Sequence, residues 1–275
     1  MRLALIPDIH GNSHALDAVL RDIEHQGDVD GYVFTGDYCA LGHDPAGVLE
    51  QIMKLLNTTF IRGNMDRYTV NAEDQRPQPT EAQANPSLVQ LTVNVARSMS
   101  WTLGAVSALG YYTWMCNLPL EYRLMLPDGT RVLFVHAAPG TDDGLGIRRD
   151  QSDEELEVIL KGCDADLVIT GHTHIPLDRT VKGIRVVNLG SLANPHMPDL
   201  RAWYALLTAD EQSYSVEQRQ VEYDVEALLK AIRASSHPTP EFVASFYQLK
   251  QLSNIFADEQ MVKDRYKHDG VDNTS

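Results

Sequence analysis

The chain has 275 residues, 43% of them hydrophobic, and carries 23 Lys and Arg against 38 Asp and Glu, a net charge of −15. That apolar content can bury a full core, which excludes a disordered chain, and the acidic field argues against long polyanions such as duplex nucleic acid as partners. No apolar run approaches the roughly 18 to 20 residues that span a bilayer, the N-terminus lacks a leader pattern, and Cys39, Cys116 and Cys163 form no CxxC pair. A soluble, cytoplasmic protein without membrane contact is therefore expected.

In chain order, RLALIP reads as a strand ending at Pro7, HALDAVLRDIEHQ as an amphipathic helix with Ser13 as its N-cap, and GYVFTG as a second strand. A helix near PAGVLEQIMKLL, with Pro45 in its first turn, and a strand TTFI complete a parallel βαβαβ half. Residues 68–120 break this alternation and predict a helical insertion or cap, with helices over LVQLTVNVARSMSW and LGAVSALGYYTWM. A hairpin EYRLMLPDGTRVLFV turns at PDGT, followed by a helix SDEELEVILKG and strands DLVIT, IRVVNL, AWYALL and SYSVEQR, so the second half is expected to be largely antiparallel. VEALLKAIRAS and residues 240 to about 258 read as helices. Residues 1–258 are expected to form one domain, with 259–275 a flexible polar tail.

Seven potential metal ligands follow these apolar runs in five short blocks: Asp8 and His10, Asp37, Asn64, His136, and His172 with His174. Open α/β sheets place their ligands just past the C-terminal ends of strands, where most of these fall. Mixed carboxylate and imidazole donors suit Mn²⁺, Fe²⁺, Zn²⁺ or Ni²⁺, and the i, i+2 spacing of His172 and His174 lets extended backbone aim both rings one way. Taken singly, each has a plainer reading. Asp8 and Asp37 serve as turn carboxylates after a strand, His136 as a satisfied core residue, and Asn64 as a turn residue after Gly63.

Together, PDIHGN, TGDYCALG, RGNMD, FVHAAP and TGHTHIP occur in the order of the motifs of the calcineurin-like metallophosphoesterases, which the chain resembles. NLGSLANPHMPDLRAWYALL, SWTLGAVSALGYYTWMCNLPLEYRL and EYDVEALLKAIRAS are similar to the small bacterial and archaeal phosphodiesterase branch, so the likeness extends from Met1 to about Ser235. The resemblance implies a four-layer α/β/β/α sandwich of two mixed sheets flanked by helices, and two divalent metal ions as cofactors. It assigns Asp8, His10 and His174 to one ion, Asn64, His136 and His172 to the other, and Asp37 as the bridge between them. Asp37, Asn64 and Asp66 would form the catalytic group, and a water shared by the ions would attack the phosphorus of a small phosphodiester or phosphoanhydride.

Met65 stands where many members of that family have His, and a thioether cannot deliver a proton to a leaving group. Good leaving groups, or a proton from the substrate, a metal-held water, His43 or His196, are the expected compensation. Arg62 reads as a fork for substrate phosphate or as a salt-bridge residue, Asn12 as a partner that orients His10 or Asp37 or as a helix cap, and Asp66 as an orienter of water or a loop cap. Cys39 is expected to be buried rather than reactive, and Trp101, Tyr111, Tyr112 and Trp114 to belong to the core rather than to an aryl site. Ala40 and Leu41 replace the phosphate-clamping Arg of protein phosphatases and diadenosine tetraphosphatases, which disfavours both. The remaining alternatives are a phosphomonoesterase or nucleotide phosphatase, and a non-catalytic metal-binding scaffold.

Overall fold

The computed structural model describes residues 1–193 and 199–248. Its strands form two five-stranded sheets. The first contains β1 (Arg2–Ile6), β2 (Gly31–Phe34) and β3 (Thr58–Phe60) in parallel, with β9 (Ala202–Ala209) and β10 (Tyr214–Val221) added antiparallel beside β1. The second joins β4 (Glu121–Met125), β5 (Arg131–Val135), β6 (Leu167–Thr170), β8 (Ile184–Asn188) and β7 (Leu177–Val181), in that order. Within it β5, β6 and β8 run parallel, and the edges β4 and β7 run antiparallel.

The period-2 alternation of each strand sets the layers. Leu5, Val33, Val132, Phe134, Leu167, Ile169, Val187, Ala205 and Leu207 pack together between the two sheets. Their sequence neighbours Ala4, Ile6, Phe34, Tyr204 and Leu206 face outward onto α1 (Ser13–His25) and α2 (Pro45–Ile52). Leu133, Val135, Val168 and Val186 do the same for α7 (Asp153–Leu160) on the opposite side. The result is the expected α/β/β/α sandwich of two mixed sheets. The second half departs from the antiparallel expectation: β9 and β10 return to the first sheet, and β5, β6 and β8 are parallel because the connections between them are long crossovers.

Local differences have local causes. Asn12, not Ser13, caps α1, its side chain accepting from the Ala15 N–H at 3.0 Å. β7 was not expected, since Asp178 and Arg179 interrupt its apolar pattern; as an edge strand it leaves Asp178 exposed. Residues 68–120 hold α4 (Pro79–Ala84), α5 (Val89–Ala108) and α6 (Tyr112–Cys116), downstream of α3 (Asn64–Val70). The break expected at Thr102, between the two helices, falls instead at Gly110, whose φ of +82° suits a glycine. Val95 and Met99 of α5 share one apolar cluster with Leu228 and Ile232 of α8 (Val225–Ala234) and Val243 and Ala244 of α9 (Pro240–Ser245). Of the expected last helix, α9 covers Pro240–Ser245, residues 246–248 leave it as a turn, and the remainder and the polar tail lie outside the described residues. Among the described residues no helix is long and apolar enough to cross a membrane.

Candidate metal centre

The strand ends of the two sheets bring seven side chains to one place. Asp8 and His10 follow β1, Asp37 β2, Asn64 β3, His136 β5, and His172 and His174 β6. Close approach of carboxylates to backbone explains the glycines in these blocks: a methyl at Gly63 would sit 2.0 Å from Asp37 Oδ1, and one at Gly171 2.3 Å from Asp8 Oδ2. His10, Asp37, His172 and His174 themselves adopt left-handed backbone, with φ of 46°, 58°, 68° and 56°. Non-glycine residues there store strain of about 1–3 kcal/mol each, a pattern that clusters at functional sites.

Asp37 Oδ1 accepts the Met65 N–H at 2.9 Å, while Oδ2 lies 3.6 Å from His10 Nε2 and 3.4 Å from His136 Nε2. His174 Nε2 lies 3.2 Å from His10 Nε2 and 3.3 Å from Asp8 Oδ1. Asn64 Oδ1 sits 3.0 Å from His136 Nε2 and 3.2 Å from His172 Nδ1. Backbone carbonyls orient three of the rings: His10 Nδ1 donates to Ala40 at 2.9 Å, His136 Nδ1 to Thr35 at 2.7 Å, and His172 Nε2 to Gly144 at 2.9 Å. Each such bond leaves the other ring nitrogen turned inward, the orientation of a metal-ligating imidazole.

The donor set fits divalent metal. Asp8, His10 and His174 form one group whose ligand atoms lie within 4.8 Å of one another, and Asp8, Asp37 and His136 form a second. Nitrogen and oxygen lone pairs converge on a buried space where only a proton or a cation relieves them. Thr35 Oγ1, buried beside Asp8 and Gly171, has no hydrogen-bond partner among the described residues. Burial pushes the Asp37 carboxyl up, but the imidazoles of His136, His10 and His172 outweigh it and hold the group well below the usual range. Burial pulls His136 down, yet Asp37 and Asp8 raise it to about 10, so it must lose a proton before it binds metal. Burial holds His10 and His172 low, in the neutral form that ligates.

The other expected residues divide differently. The Asp66 carboxylate accepts from the N–H groups of Asp37, Tyr38 and Gly63 at 2.8, 3.0 and 2.8 Å, which ties the loops after β2 and β3 together. It therefore holds the Asp37 loop. Burial, with Asp37 adjacent, raises Asp66 to about 7. Arg62 pairs with Asp142 at 2.6 Å instead of standing free for phosphate. Asn12 caps α1 and donates to the Tyr247 hydroxyl at 3.3 Å, so its hydrogen bonds go to neither His10 nor Asp37. His43 is half-buried with its ring centroid 5.8 Å from that of His14, and His196 lies outside the described residues. Cys39 is buried, and burial pushes its thiol well up. Trp114 packs on Tyr38 and Phe60 and Tyr111 on Trp114, Trp101 lies against His237, and Tyr112 is 45% exposed.

Sequence reasoning missed the supports. Ser191 Oγ and the Leu192 N–H donate to the Asp8 carbonyl at 3.0 and 3.1 Å, and the Asn188 amide donates to Gly171 O at 2.7 Å. The segment NLGS was visible as a motif, but the contacts that tie it to Asp8 span more than 180 residues.

Fold and donor set together define a metal-dependent phosphoesterase. Residues 1–212 match the calcineurin-like phosphoesterase superfamily domain, and the chain belongs to that superfamily. It is 26% identical over 246 residues to an uncharacterized protein of Methanocaldococcus jannaschii, covering 84% of this chain and 91% of that one. Its fold is similar to that of a hypothetical protein from Pyrococcus horikoshii, with 22% identity, a TM-score of 0.74, and 89% and 97% of the two chains covered. A metallophosphoesterase from Sphaerobacter thermophilus is similar at 24% identity and TM-score 0.68, with 90% and 98% covered.

Proposed function

We propose that the protein hydrolyses small phosphodiesters or phosphoanhydrides at a centre for two divalent ions, of the Mn²⁺, Fe²⁺, Zn²⁺ or Ni²⁺ class. Asp8, His10 and His174 hold one ion, Asn64, His136 and His172 the other, and Asp37 is shared. The observation behind this reading is the Asp37 carboxylate: one oxygen is held by the Met65 N–H, and the other stands between a histidine of each set. Asp8 belongs to both compact groups of donors, so it would stand close to either ion. When bound, such ions polarise phosphoryl oxygens and lower the pKa of the attacking water, typically from ~3.5–4 Å apart.

The chain's own residues then position and select. Asp37 and Asn64 would hold the ions that engage the phosphate, and Asp66 keeps the Asp37 loop in place. Met65 is partly buried against the apolar cluster that holds Ala40, Leu41 and Tyr68, so the leaving-group side presents a thioether in apolar company and supplies no proton. That favours leaving groups that depart without one. Commitment of Arg62 to Asp142 favours the singly charged phosphate of a diester over a dianionic monoester. Residues 1–258 act as one domain in this reading, in a cytoplasmic setting that suits three free cysteines.

The test compares bis-p-nitrophenyl phosphate with p-nitrophenyl phosphate on protein stripped and reloaded with Mn²⁺. Faster turnover of the diester supports the proposal; a faster monoester would favour the phosphomonoesterase reading.

A further inference from the structure

We propose that Asp142, gripped by Arg62 and Arg67, is a positioning residue for the metal centre: it clamps the 142–146 loop so that the Gly144 carbonyl holds His172 with Nδ1 turned toward Asn64. The inference rests on the metal-centre reading above and adds to it Arg67, Asp143 and the Gly144 carbonyl.

Asp142 is a loop residue, yet only 4% exposed. Its carboxylate accepts from Arg62 Nε at 2.6 Å and from Arg67 Nε and Nη2 at 3.1 and 3.0 Å. Arg67 also reaches Asp143 at 2.9 Å and Asp74 at 3.0 Å, and the Tyr68 hydroxyl donates to Asp143. Asp143 Oδ1 in turn accepts the Gly144 N–H at 2.8 Å, and the Gly144 carbonyl accepts His172 Nε2 at 2.9 Å. The chain of contacts is continuous from the two guanidinium groups to the imidazole.

Its layout is what a ligand clamp requires. Arg62 and Arg67 flank Asn64, one just before α3 and one within it. Arg62 is fixed further by its own N–H, which donates to Pro119 O at 2.7 Å. The same stretch of backbone therefore supplies one proposed ligand, Asn64, and the cations that set the orientation of another, His172. The loop closes on the ring from the other side too: a methyl at Gly146 would lie 2.8 Å from His172 Cδ2, so only glycine leaves room there. His172 sits in left-handed backbone, where no regular ladder holds it, and its orientation depends on this second layer. Partners of this kind hold a ligating imidazole in place, and their loss commonly weakens metal affinity about 10- to 100-fold.

Calorimetric titration of the metal-stripped protein with Mn²⁺ tests the clamp, with melting temperature recorded for each apoprotein. Wild type is expected to show two sites. His172→Asn identifies the site that needs His172, and Asp142→Ala should weaken that same site about 10- to 100-fold while leaving the other unchanged. Arg67→Lys keeps the charge and the fold but loses the planar fork, and should weaken the same site in the same direction. Weakening of both sites alike, or of neither, would overturn the clamp. Absence of Mn²⁺ uptake by wild type would instead overturn the metal-centre reading, and the clamp with it.

Discussion

Gly63 shows how closely residue identity is tied to the centre. Its α-carbon packs on the Asp37 carboxylate, so Gly63→Ala must displace either the carboxylate or the loop. Mn²⁺ binding should fall sharply, and the melting temperature of the apoprotein should fall with it; unchanged affinity by titration would refute this geometry. Met65 makes the complementary case at the leaving-group side. Met65→His is expected to speed alkyl diesters, whose leaving groups need a proton, by up to about 10²-fold, and nitrophenyl diesters far less. Equal or slower rates on the alkyl series would contradict the role. The seven proposed ligands were legible because each sits in a short block beside a strand end. The partners of Arg62, Asn12 and Asp66 were not. Asp142 lies 80 residues from Arg62, and Tyr247 lies 235 from Asn12, beyond the reach of any local pattern.

Elements were read well where periodicity and caps agree, and poorly where tertiary pairing decides. SDEELEVILKG read as α7, which the structure begins with a capping box of Ser152 and Glu155, and PDGT marked the β4–β5 turn. Nothing local says that β9 pairs with β1 across some 200 residues, or that the charged β7 is a strand at all. The cap of α1 offers a check at this scale: Asn12→Ala should cost about 1 kcal/mol of stability while leaving diester turnover intact. A selective loss of turnover would restore the reading of Asn12 as a ligand orienter. The joint between α5 and the C-terminal helices offers another. Ser98 Oγ lies 3.1 Å from His237 Nε2, and His237 Nδ1 accepts the Thr239 N–H at 3.1 Å. Burial pushes His237 down to about 4, reinforced by positive charge at His43 and Arg97. The unfolded chain takes up that proton near the ordinary value of 6.5, so the stabilisation is complete above 6.5 and is lost as pH falls toward 4. Melting temperature should therefore fall more steeply over this interval in wild type than in His237→Gln; parallel curves would contradict it.

Across the whole molecule, two sheets pressed face to face aim the ends of five parallel strands at one space, and that packing sets the position of every proposed ligand. Ile169 is fully buried between the sheets, one residue before Thr170, whose hydroxyl donates to the His136 carbonyl. Ile169→Ala should destabilise the fold by about 2–5 kcal/mol, read from denaturant unfolding. The measurement that tests the central claim most directly is the metal content of the Mn²⁺-reloaded protein by elemental analysis, with diester turnover recorded alongside. Two ions per chain are predicted for wild type, with Asp37→Asn losing both turnover and full loading. One ion or none in an active wild-type protein, or full loading and turnover without the Asp37 carboxylate, would contradict a centre built around that shared residue.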